Sequence, residues 1–112
     1  NFNGGFPKQR KFFISENEGS SIIDLFYGIS DSKDDNYDLR KMFKKYKSHI
    51  VDGVLPIGED PGGNLILLSY SSKLHGIYFW DHEKQGIESR TPSYTNMIKI
   101  SSSFEVFMDG LL

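Results

Sequence analysis

A chain of 112 residues with 38% hydrophobic and 25% charged side chains has the size and make-up of one globular domain, able to bury about two thirds of its unfolded surface. It has no cysteine, which removes disulfides and thiolate metal sites and suits a reducing compartment; no apolar run reaches the roughly 20 residues that span a bilayer, and no basic-then-apolar leader opens it. A formal net charge of -2 at pH 7 supplies no overall attraction for nucleic acid or anionic lipid, so the expectation is a soluble cytoplasmic protein that contacts neither directly.

The chain opens at Asn1 without a methionine and enters the turn signal Asn3-Gly4-Gly5 with Pro7; a natural start further upstream is expected. Lys11 to Ser15 and Ser21 to Tyr27 are rich in β-branched and aromatic residues around the break Glu16-Asn17-Glu18-Gly19, which predicts a hairpin. A polar, acidic stretch follows from Gly28. Then Leu39, Met42, Phe43, Tyr46 and Ile50 repeat with helical period, while Arg40, Lys41, Lys44, Lys45 and Lys47 take the other side. Asp34, Asp35 and Asp38 lie at or before the positive end of that helix's dipole. Residues 40–47 thus hold five of the thirteen basic side chains, and the rest of the chain sets eight against fifteen acids. The basic helix face is what stability alone selects; the acidic remainder suits a basic partner.

After Gly53 the period becomes that of strands: Val54 to Ile57, Asn64 to Tyr70 and Gly76 to Trp80. The link Gly58-Glu59-Asp60-Pro61-Gly62-Gly63 and the polar link Ser71 to His75 predict an antiparallel meander. Leu65 to Leu68 are apolar on both sides, so the middle strand is expected to be covered on both faces. Glu83 to Asn96 is a polar excursion, expected to be an exposed loop, and Met97 to Ile100 a last short strand. Ser102 with Glu105 three residues on has the form of a capping box, opening a helix whose stripe is Phe104, Phe107, Met108 and Leu111.

Residues with chemistry are few. Asp81-His82-Glu83 gathers ligand-type side chains, but on a strand His82 points away from both carboxylates, so a single metal cannot easily use all three. The Gly58 to Gly63 link resembles a phosphate cradle only in its glycines: Glu59 and Asp60 repel phosphate and Pro61 has no N–H. No serine stands in a nucleophile's context and no triad can be drawn. The expectation is therefore no catalytic residue, no metal and no cofactor. Tyr78, Trp80 and His82 alternate along one side of the third meander strand, with Ile77 and Phe79 on the other. Tyr78 and Trp80 are either an open aromatic platform for a partner or core beneath a helix.

Several segments together resemble the SUKH superfamily: Asn3-Gly4-Gly5 with Pro7, the run Val54 to Asp60 leading into Gly62 to Ile66, the strand Gly76 to Glu83, and the closing Ser103 to Met108. That superfamily includes fungal cell-wall-synthesis regulators and bacterial immunity proteins. The resemblance implies a single α+β domain over residues 1–112, with a largely antiparallel sheet of five to six strands flanked by helices. It further implies a protein without enzymatic activity that binds and neutralises a protein toxin, such as a nuclease, as a heterodimer. The alternative it carries is a regulator-type scaffold recognising a host protein. The family's helical segment before its Asn-Gly-Gly turn is missing here. On chemical grounds the partner-binding candidates are the acids Glu59, Asp60, Asp81 and Glu83, which steer a basic partner, with Tyr78 and Trp80 as anchors.

Overall fold

Short strands with apolar residues on both sides can be satisfied only in a sheet covered on both faces. The computed structural model, which describes residues 8–16, 18–28, 38–47, 53–81 and 97–112, has that form. Its elements are β1 (Lys11–Ser15), β2 (Gly19–Ile22), β3 (Leu25–Phe26), α1 (Leu39–Tyr46), β4 (Val54–Glu59), β5 (Leu65–Ser69), β6 (Gly76–Trp80), β7 (Met97–Ser101) and α2 (Phe104–Asp109). Strands β3 to β7 form one five-stranded sheet in sequence order, every neighbouring pair antiparallel, and β1 and β2 form a separate antiparallel ribbon. The class is α+β, and the expected meander is the centre of the main sheet, with β5 in its middle.

The expected strand from Ser21 to Tyr27 is instead two strands in two sheets. The change of partner takes a single residue: the Ile23 N–H donates to the Arg10 carbonyl, and the Asp24 N–H donates to the Glu59 carbonyl. Burial explains the break. Ile23, Leu25, Phe26 and Tyr27 are all buried, and a strand with one solvated face cannot hide consecutive residues.

The two faces of the main sheet bury different residues. On one side Ile57, Ile66, Ile77 and Phe79 pack against Phe12, Ile14 and Ile23 of the ribbon segment and Phe107 and Leu111 of the closing segment. The Phe12 ring meets Phe79 at 6.0 Å and Phe107 edge-on at 5.7 Å, geometry that adds to the area buried. On the other side Val54, Leu65, Leu67, Tyr78 and Trp80 meet Tyr46 of α1, and Leu25, Tyr27 and Met42 continue that layer.

Both helices begin where the sequence requires, one of them a residue later than expected. Asp38 caps α1, accepting the Arg40 N–H at 2.9 Å and pairing with the Arg40 guanidinium at 3.1 Å. Ser103, and not Ser102, caps α2, its hydroxyl accepting the Val106 N–H at 3.1 Å. Three successive serines offer the same cap chemistry, and the extended backbone of Ser103 selects it. The expected stripe of Phe104, Phe107, Met108 and Leu111 does enter the core. Ile50, the Gly-Gly turn and the 83–96 excursion lie outside the described residues.

Candidate functional site

The β4–β5 link is built by one carboxylate. Asp60 follows β4, and its Oδ1 accepts the N–H groups of Gly62 at 3.0 Å and Asn64 at 2.9 Å. Its Oδ2 accepts the Asn64 side-chain amide at 3.1 Å and the Ser21 hydroxyl at 2.9 Å. Asp60 is only 5% exposed. Four donors on a buried carboxylate fix the turn and, through Ser21, tie the ribbon to the main sheet. Gly63 completes the link at φ 85°, in the left-handed region that glycine adopts without strain. The turn therefore arises from the sequence Asp-Pro-Gly-Gly-Asn as a unit.

Glu59, the neighbour of Asp60, lies on the other side of the sheet. Its Oε1 accepts the Tyr27 hydroxyl at 3.0 Å, and Tyr27 belongs to the layer beneath α1. The two acids expected to act as a pair are thus separated by the sheet.

Tyr78 and Trp80 are 8% and 3% exposed. Trp80 meets Tyr46 of α1 edge-on at 6.1 Å. Of the two arrangements open to these rings, the structure has the core one: they pack with Val54, Leu65 and Leu67, and Tyr46 of α1 closes on the cluster. They form no open platform. Asp81 is half-buried and follows Trp80 on the opposite side of the strand, the side of Phe79. Glu83 and His82 lie outside the described residues.

What the structure does bring together is a notch of about 250 Å³ between ribbon and main sheet. Its rim is Glu18, Ser20 and Ser21 from the ribbon, Asp60 from the turn and Asp81 from the end of β6; Ile14 and Phe79 form its floor. Of the expected site residues, Asp60 and Asp81 meet here and Glu59, Tyr78 and Trp80 do not. Glu18 is the residue that sequence reasoning missed. The sequence places it in a turn, and a ribbon laid across the sheet is a long-range event that no local signal encodes. The ribbon also leaves Phe13 61% and Ile22 44% exposed. A signal for Phe13 was present: in Phe12-Phe13-Ile14 on a strand, one of the two phenylalanines must face away from the core.

The rim carries the carboxylates of Glu18, Asp60 and Asp81, of which Asp60 already accepts four hydrogen bonds from the turn and the ribbon. Among the described residues no three or more His, Cys, Asp or Glu side chains are gathered closely enough to hold a metal ion. No helix among them is long and apolar enough to cross a membrane.

The sequence matches the model of the SMI1 / KNR4 family (SUKH-1) over residues 1–110. No curated protein and no solved structure matches it.

Proposed function

Because the chain belongs to the SMI1 / KNR4 family (SUKH-1), we propose that it is an immunity protein that binds and neutralises a protein toxin in the cytoplasm as a heterodimer, without catalysing any reaction. The observation that carries this reading is the family match across almost the whole chain. A non-catalytic inhibitor needs only a surface complementary to its target. A nuclease presents a basic cleft for phosphate, and acids on the inhibitor steer the encounter and occupy that cleft.

Within the fold, the acidic end of the ribbon and the β4–β5 turn suit such a contact best. Glu16 is exposed there and Glu18 and Asp81 are half-buried, so all three present charge near solvent. Asp60 shapes the notch, Tyr78 and Trp80 support it from the far side of the sheet, and Glu59 sits apart with Tyr27. Glu83, two residues beyond Asp81, remains a proposed contact from the sequence alone.

Affinity capture from the native host, followed by co-expression with the captured toxin, tests the reading. Cells carrying both proteins should grow as cells carrying neither, and the purified pair should elute as one species. A folded protein that neither rescues growth nor binds that toxin would contradict it, and capture of a host regulator in its place would favour the scaffold alternative.

A further inference from the structure

We propose that the outward face of α1 is a second contact surface, which docks a short acidic segment of a partner protein through Lys44, Lys45 and Lys47; this goes beyond the immunity reading and does not depend on it. α1 turns Met42 and Tyr46 inward, Met42 buried beside Leu25 and Tyr27 and Tyr46 edge-on to Trp80. With helical period, Arg40, Lys41, Lys44, Lys45 and Lys47 fall together on the opposite side, and all five are exposed. The sheet stands between this face and the notch, whose floor belongs to the ribbon-side core.

Arg40 pairs with Asp38, and Lys41 is engaged as well. Lys44, Lys45 and Lys47 have no ion pair among the described residues. Lys45 lies 5.3 Å from the centroid of the Tyr46 ring, a contact that leaves its charge uncompensated. Amphipathicity explains why this side is charged, and the helix dipole favours Lys44 and Lys45 in the last turn. Neither explains its single sign. α1 contains no acidic residue, so Arg40 and Lys44, like Lys41 and Lys45, stand four apart as like charges, and Lys44 is three from both Lys41 and Lys47. Each such pair works against the helix, where lysine alternating with glutamate would solvate the face equally and support it. Carboxylates from outside the chain are therefore favoured twice, by attraction and by relief of that repulsion.

Size decides the occupant. A helix of eight residues is about 12 Å long, the reach of about four extended residues. A nucleic acid or a membrane extends further and meets the rest of the chain, where eight basic side chains stand against fifteen acids. A membrane also finds no apolar stripe to take up, because Leu39, Met42 and Tyr46 are spent on the core. Lysine reads charge without fixed geometry, so the segment needs closely spaced carboxylates in no particular order.

The test adds peptides to the isotope-labelled full chain at low salt and follows backbone amides by NMR. A peptide with four glutamates spaced by serine and glycine should shift the amides of Lys44, Lys45 and Lys47 saturably. Its glutamine counterpart should bind at least about tenfold more weakly, as should the acidic peptide itself at high salt. Lys44→Gln with Lys47→Gln should weaken the acidic peptide about tenfold at unchanged thermal stability, and Lys44→Arg with Lys47→Arg should keep the affinity. Shifts on another surface, equal binding of the glutamine peptide, or full binding by the glutamine variant would overturn the proposal. So would tighter binding of an oligonucleotide with the same number of charges, or of phosphatidylserine vesicles, which would make a polyanion or a membrane the occupant. The shift map of the unaltered chain decides the matter even where a variant loses stability. Toxin rescue plays no part in this test, so failure of the immunity reading leaves it standing.

Discussion

A carboxylate that accepts four hydrogen bonds behaves as part of the backbone and not as a contact waiting for a partner. Asp60 is the case here, because every one of its donors loses its acceptor if the side chain is removed. Asp60→Ala should therefore cost about 2–4 kcal/mol in urea unfolding; a loss below about 0.5 kcal/mol would show that the turn stands without it. Ser69 presents the opposite situation. It is fully buried on β5, and its hydroxyl has no hydrogen-bond partner among the described residues, so there it carries a desolvation cost without a return. Ser69→Ala should be neutral or stabilising by up to about 1 kcal/mol, and a clear destabilisation would reveal a partner for that oxygen. Both effects were closed to sequence reasoning. Asp60 was readable as a turn residue, and its acid invited a surface role. That its Oδ2 meets Ser21, thirty-nine residues away, depends on how the ribbon crosses the sheet.

At the level of elements, most of the fold was legible because strand and helix periods differ. The meander, both helix stripes and the two-sided burial of β5 follow from local pattern. The errors fell where pattern is degenerate. Three serines before α2 blurred the cap by one residue, and the stretch from Ile22 to Tyr27, apolar except for Asp24, concealed a change of sheet. The β6–β7 pairing rests on a constraint that only coordinates display. Gly76 opens β6 at φ 141°, and a Cβ there would lie 2.6 Å from the Ser101 carbonyl oxygen and 2.9 Å from Cε of Lys99. The first of these is backbone and cannot swing aside. Gly76→Ala should cost about 2 kcal/mol or more, seen as faster amide exchange across β6 and β7; exchange like that of the parent chain would show that the pair can separate at no cost.

For the molecule as a whole, the sheet divides the candidate residues into two populations. Tyr78, Trp80 and Glu59 belong with the α1 side, while Asp60, Asp81 and Glu18 meet on the ribbon side. The candidate site was half legible for that reason: residue types pointed to Asp60 and Asp81, which line one notch, but alternation cannot say which face a helix will cover. Trp80→Ala should consequently destabilise by about 3–5 kcal/mol, as a large core truncation does. A stable Trp80→Ala protein that fails to bind would restore the ring as an anchor.

The central claim is the proposal that an acidic end of this fold captures a basic protein surface, and the association rate with the proposed toxin partner tests it most directly. Measured by stopped flow from low to high ionic strength, that rate should fall at least about tenfold, and Glu18→Lys with Asp81→Lys should slow it by a similar factor at unchanged thermal stability. A rate indifferent both to salt and to these reversals would contradict the claim.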